Sequence, residues 1–154
     1  VGIDILVKFG PVPVYRYSHR ATETWRGGLF TGIESTTNRD GTPHRMRAET
    51  TASGLVVEGS GTPRYQAPAN IFATTYWNKA MLQRKIINSE DGRLFDVTAM
   101  PLAEEIVPAA TGTLRARRYK LAGDLPLDLW YDAAGQWAHL VFTKDGSTVI
   151  YEKL

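Results

Sequence analysis

Along most of the chain, apolar and polar residues alternate with a period of two, and short glycine-containing clusters break the alternation at regular intervals. Successive side chains of a strand point to opposite faces, so this pattern predicts half-buried β-strands joined by tight turns. In "VYRYSHRATETWRGG", Tyr15, Tyr17, His19, Ala21, Glu23 and Trp25 share one face. Arg16, Ser18, Arg20, Thr22, Thr24 and Arg26 share the other, and the first face is the expected core side. Turns are expected at Asn38-Arg39-Asp40-Gly41, Ser53-Gly54, Glu90-Asp91-Gly92, Gly123-Asp124, Asp132-Ala133-Ala134-Gly135 and Lys144-Asp145-Gly146. Strands joined so regularly favour an antiparallel meander.

Three segments depart from the pattern. "EGSGTPRYQAPAN" is rich in glycine and proline and reads as a surface loop that closes over the sheet. "AEEIVPAATG" reads as a poorly ordered connection. "NKAMLQRK" reads as two turns of helix with Asn78 as N-cap, too short to stand without packing Met81 and Leu82 on the sheet. The predicted fold is therefore all-β: a curved antiparallel meander sheet or incomplete β-barrel carrying one short helix.

The length of 154 residues suits a single β domain spanning the whole chain, large enough to bury a sizeable core. With 18 basic and 16 acidic side chains the net charge is only +2, which supplies no general attraction to nucleic acid or to an anionic membrane. The absence of cysteine removes disulfides, thiolate metal sites and cysteine nucleophiles. No apolar run of about 18 residues is available to span a bilayer as a helix. The opening segment "VGIDILVKFG" already alternates like the interior of a sheet, so material removed or left out ahead of it is expected.

Candidate chemistry is sparse. There is no nucleophile elbow, no phosphate-binding glycine loop and no HExxH pair, and nothing in the sequence calls for a cofactor. His19, His44 and His139 lie in three different strands and read as partly exposed or hydrogen-bonded strand histidines rather than a metal site. His19 and Glu23 stand four residues apart on the aromatic face, about 13 Å at strand rise, too far to bond each other. A glutamate on an apolar face either finds an arginine or tyrosine partner or acts as a general acid or base. His19 and Glu23 are thus the only weak catalytic candidates. Arg16, Arg20, Arg26, Arg45, Arg47, Arg118 and Lys120 recur on the expected outer faces. Without interleaved stacking aromatics they read as a solvated exterior with cross-strand ion pairs, not a nucleic-acid surface.

"YRYSHRATETWRGGLFTGIESTTNRDG", "TTYWNKAMLQRKIINSEDGRLFDV" and "RYKLAGDLPLDLWYDAAGQWAHLVFTKDGSTVIYE" together resemble the DUF6134 family of uncharacterised bacterial exported proteins. The most specific elements are Tyr76-Trp77-Asn78 ahead of Met81 and Leu82, the Asn88 to Leu94 hairpin, and Asp128-Leu129-Trp130-Tyr131-Asp132. The resemblance implies an all-β fold, a signal peptide and an additional N-terminal strand segment ahead of this sequence, and export to the periplasm or outer envelope, and it supplies no catalytic residue. Combined with the aromatic face, it leads to the expectation of an envelope protein that binds a lipid or other apolar small molecule in a curved β-sheet cavity. The expected ligand-binding residues are Tyr15, Tyr17, Trp25, Tyr76, Trp77 and Asn78. The alternatives are an accessory or structural subunit docking on an envelope membrane complex, and an isomerase or hydrolase using Glu23 or His19.

Overall fold

The computed structural model describes residues 2–9, 12–68, 70–109, 112–144 and 146–152. Among the described residues, fourteen strands are joined in three antiparallel or short sheets, none closed into a barrel, and one 3₁₀ turn, Lys79–Gln83, stands where the helix was expected. Asn78 caps that turn, its side chain accepting from the Ala80 N–H at 3.0 Å. With so few residues before Arg84 returns to extended backbone, the segment tightens into 3₁₀ geometry rather than completing two α-turns.

The strands gather into two compact units, one made of residues up to Thr74 with Ile86–Leu94, the other of Thr75–Lys85 and Phe95 onward. In the first, β1 (Gly2–Phe9), β2 (Val12–Arg26), β3 (Leu29–Arg39), β4 (Thr42–Thr51), β5 (Gly54–Gly59) and β6 (Thr62–Gln66) form a six-stranded meander in sequence order. The short β7 (Ile71–Ala73), β8 (Lys85–Ile87) and β9 (Leu94–Phe95) pair in the order β7-β8-β9. Ala21, Ile33, Met46, Ala48 and Val57 of the large sheet bury against Ile71, Ala73 and Ile87, so one face is covered. Arg16, Arg20, Thr22, Thr24 and Arg26 are exposed on the other face, as the alternation in β2 predicts.

The second unit is a five-stranded meander of β10 (Val97–Ala109), β11 (Gly112–Gly123), β12 (Leu127–Asp132), β13 (Trp137–Lys144) and β14 (Ser147–Glu152). One face buries Leu121, Leu127, Leu129, Tyr131 and Leu140. On the other, Val107 of β10 joins Ala116, Trp130 and Ala138, so the sheet curls until β10 approaches β13 across it.

Two expected loops are strands. "EGSGTPRYQAPAN" supplies the end of β5 and all of β6, and "AEEIVPAATG" supplies half of β10 and the start of β11, with Ala69, Ala110 and Thr111 outside the described residues. Pro63, Pro101 and Pro108 lie in β6 and β10, which are edge strands, where a missing N–H need not break a ladder. Of the turn expected at Lys144-Asp145-Gly146, Asp145 lies outside the described residues.

Candidate functional site

On the covered face of the six-stranded sheet, register brings polar residues into rows. His19, Thr37 and His44 are cross-strand partners, and the next row along is Tyr17, Arg39 and Thr42. His19 Nδ1 and Thr37 Oγ1 share a hydrogen bond of 2.7 Å, and each residue is only 4% exposed. Burial, helped by the adjacent Arg20 charge, pushes the His19 imidazole below its ordinary pKa and favours the neutral ring. Glu23 is likewise engaged: the Trp25 indole N–H donates to its Oε2 at 2.8 Å. The Trp25 ring meets Phe30 and Phe72 edge-on at centroid distances of 5.5 and 5.2 Å. Tyr17 stacks with His19 at 6.3 Å, and Tyr15 is half-buried.

The turn between β8 and β9 descends onto this face. Asn88, Ser89, Glu90 and Asp91 are all buried, an unusual fate for four polar residues in a row. Each is tied down. The Ser35 hydroxyl donates to the Ser89 carbonyl. The Gly61 N–H donates to the Asp91 carbonyl at 3.0 Å, and the Tyr65 hydroxyl to the Gly92 carbonyl at 2.9 Å. Asp91 accepts from the Asn88 amide and from Arg93 Nε, each at 2.8 Å. Room for the turn comes from Gly59 and Gly61, where a Cβ would stand 2.1 Å and 2.6 Å from atoms of Asp91.

Glu90 is the member with chemistry left over. Arg39 Nη2 donates to its Oε2 at 2.5 Å, and His44 Nε2 stands 3.8 Å from its Oε1, too far for a hydrogen bond. Glu90 Oε1 and Arg39 Nε are both buried with no hydrogen-bond partner. From the sequence, Glu90 falls in the turn of the Asn88 to Leu94 hairpin and has no role of its own.

In the second unit, Tyr76 adopts a left-handed backbone (φ 59°) that turns the chain into the 3₁₀ segment, and the buried Tyr131 hydroxyl donates to its carbonyl at 2.7 Å. Burial raises the Tyr131 pKa far above the ordinary phenol value. Tyr76, Tyr119, Trp137, Phe142 and Tyr151 are half-buried around the apolar cluster, and Lys79 Nζ sits 5.1 Å from the Tyr119 ring centre. The Trp137 indole N–H is buried without an acceptor. Trp77 is 48% exposed. On the opposite face, Arg118 bridges Asp128 (3.0 Å) and Glu105 (3.4 Å) and lies over Trp130, whose indole N–H donates to Glu105 at 3.0 Å. That cluster is internally satisfied.

The six aromatic and cap residues expected to line one cavity thus divide: Tyr15, Tyr17 and Trp25 belong to the first unit, Tyr76, Trp77 and Asn78 to the second. His19 and His44 share a row, while His139 is in the second unit beside Trp130. No group of three metal-ligating side chains occurs among the described residues. Over residues 1–153 the chain matches the family model described as Domain of unknown function (DUF6134). The chain belongs to the DUF6134 family. No curated protein and no solved structure matches it. For this DUF6134 chain, function is therefore argued from the side chains themselves. No described helix is long and apolar enough to cross a membrane.

Proposed function

We propose that this DUF6134 chain is a binding protein of the bacterial envelope, rather than an enzyme, and that its ligand is a lipid or similar apolar molecule carrying a hydrogen-bond acceptor. The reading rests on Trp137. Its indole N–H is buried without an acceptor on a face where Tyr76, Tyr119, Phe142 and Tyr151 are each left half-covered. A buried donor without a partner is costly, and an ester or carboxyl oxygen of a ligand would satisfy it. An acyl chain over the rings would gain about 0.8 kcal/mol per methylene removed from water. Catalysis is the weaker reading, since His19 is buried against Thr37 and Glu23 is occupied by Trp25. Export is carried by the family resemblance alone and is tested by fractionating cells that express the full-length gene.

Native mass spectrometry of detergent-free protein, with titration of a fluorescent fatty acid, tests the ligand. Binding that weakens in Trp137→Phe while the fold is retained supports the reading. No co-purified species and no uptake by folded protein refutes it. The docking-subunit reading has its own support in Trp77, Met100, Ile106 and Ile150, all exposed apolar side chains of the second unit. It would lead if Trp77→Ala and Ile106→Asp abolished capture by an envelope membrane complex without altering fatty-acid uptake.

A further inference from the structure

The outer face of the six-stranded sheet is wet, yet it is not flat. Across β1 to β4 it opens into a cleft of about 890 Å³, a volume in the range of small-ligand sites. Cross-strand register builds the cleft from two rows of side chains. Asp4, Ser18, Asn38 and Pro43 stand side by side in one, and Arg20, Thr36 and Arg45 in the next. Ser18 is half-buried and the others are exposed, so a ligand in the cleft reaches their polar ends. Among the described residues that line it, Pro43 is the one apolar side chain.

The two walls differ in charge. On the β1 side Arg20 is used up within the protein: Nη2 donates to Asp4 at 2.6 Å, and Nη1 donates to the Ile3 and His19 carbonyls at 3.1 and 2.9 Å. On the β4 side Arg45 enters no ion pair among the described residues, although Arg47, two residues on, is held by Glu49 at 2.7 Å. Between the walls, the Ser18 and Thr36 hydroxyls have no hydrogen-bond partner among the described residues. Asn38 Oδ1 accepts from the Gly41 N–H at 2.8 Å, which leaves the Asn38 amide nitrogen with donors to spare.

With Asp4 neutralised by Arg20, the charge left in the cleft is that of Arg45, and it selects an anion. Arg45 and Thr36 are direct cross-strand partners, with Cβ atoms about 5 Å apart. A carboxylate spends both oxygens on a guanidinium fork, whereas a phosphate has a third for the Thr36 hydroxyl. Ser18 and Asn38 stand about 7 Å further along the strands, beyond the span of one phosphate, and suit polar groups on the body that carries it. We infer that this cleft binds a phosphate monoester of a small polar body, its phosphate on Arg45 and Thr36 and its body over Ser18 and Asn38. The site lies in the first unit and uses none of the groups assigned to the lipid-like ligand.

The test is chemical-shift titration of ¹⁵N-labelled protein with glycerol 3-phosphate, with glycerol and acetate as comparisons, beside co-sedimentation with phosphatidylcholine vesicles with and without phosphatidic acid. Binding of glycerol 3-phosphate in the millimolar range or tighter is expected, with shifts at Ser18, Thr36, Asn38 and Arg45. Arg45→Gln is expected to weaken it about tenfold or more, and Thr36→Val about threefold. Both side chains are exposed, and thermal melting checks that the variants are folded. Arg47→Gln removes an equal charge from the next row outside the cleft and is expected to change little. Capture by phosphatidic acid vesicles that is lost in Arg45→Gln, without binding of the soluble ester, also supports the site and assigns its phosphate to a lipid headgroup. Four results overturn the proposal: neither the soluble ester nor the phosphatidic acid vesicles bind; glycerol or acetate binds as tightly as the ester; Arg45→Gln leaves binding undiminished; or Arg47→Gln weakens it as much as Arg45→Gln, which means diffuse attraction to the whole face.

Discussion

Replacing Gly59 by alanine is the sharpest test of how the buried turn is seated. Gly59 ends β5 and lies under Asp91, and a Cβ there would stand 2.1 Å from the Asp91 carbonyl oxygen and 2.7 Å from its carbon. Both are backbone atoms, so no side-chain rotation relieves the overlap and the turn itself must move. Overpacking of this kind costs about 1–3 kcal/mol. Lifting the turn also removes the 3.0 Å bond from the Gly61 N–H to the Asp91 carbonyl, about another 1 kcal/mol. For a chain of this length each kcal/mol shifts the melting temperature by about 2–4 °C. Gly59→Ala is therefore expected to melt roughly 4–16 °C below the parent, with the Gly61 amide losing its protection in hydrogen exchange. Gly41→Ala separates the contact from simple loss of glycine freedom: its φ is +86° with nothing within 4 Å of the added Cβ, so only the left-handed backbone cost of about 1–2 kcal/mol applies. Gly59→Ala melting within about 0.5 kcal/mol of the parent, with the Gly61 amide still protected, would refute the seating of the turn described above.

Tyr131→Phe removes the hydroxyl that donates to the Tyr76 carbonyl and is expected to destabilise the protein by about 1–3 kcal/mol in urea titration. Little change would mean that another donor serves that carbonyl. His19 gives a pH dependence with a definite sign. Its folded pKa is depressed by burial, so below the ordinary histidine value of about 6.5 the unfolded chain binds a proton that the folded chain does not. This contribution is fully present above that value and is lost as pH falls from there toward the folded pKa. His19→Gln should therefore flatten the fall in stability between about pH 7.5 and 5.5, and an unchanged slope in matched urea titrations would assign it elsewhere.

The strands were legible because one face of each large sheet is buried and the other wet, which writes the period of two directly into β2, β3 and β11. The Asn78 cap was legible for a similarly local reason, a side chain bonding two residues onward. Proline misled the reading twice, at Pro63 and at Pro108, because composition does not say which strands lie at an edge. Two units follow from sheet order and contact, which alternation does not encode; each unit buries its own apolar clusters. The burial of Glu90 was invisible for a physical reason. A polar turn is ordinarily wet, and what buries this one is the absence of side chains at Gly59 and Gly61, about 30 residues away in the chain by numbering. The Gly-Ser-Gly of residues 59–61 was the available signal, and it reads equally well as an ordinary hairpin turn.

The prolines of β10 also bear on how this chain meets other chains. A 13-residue strand at the edge of a sheet, with Met100 and Ile106 exposed, is the kind of surface on which a second strand is readily laid down. A proline tolerated in such a strand is one whose missing N–H faces away from its single neighbour, so Pro101 and Pro108 take donors out of the row that an incoming strand would use. Any added strand would find its pairing broken at both prolines, and the stretch between them carries the register shift between Pro101 and Glu104. Changing both prolines to threonine would restore the row and convert a guarded edge into a template, with aggregation during refolding as the visible cost.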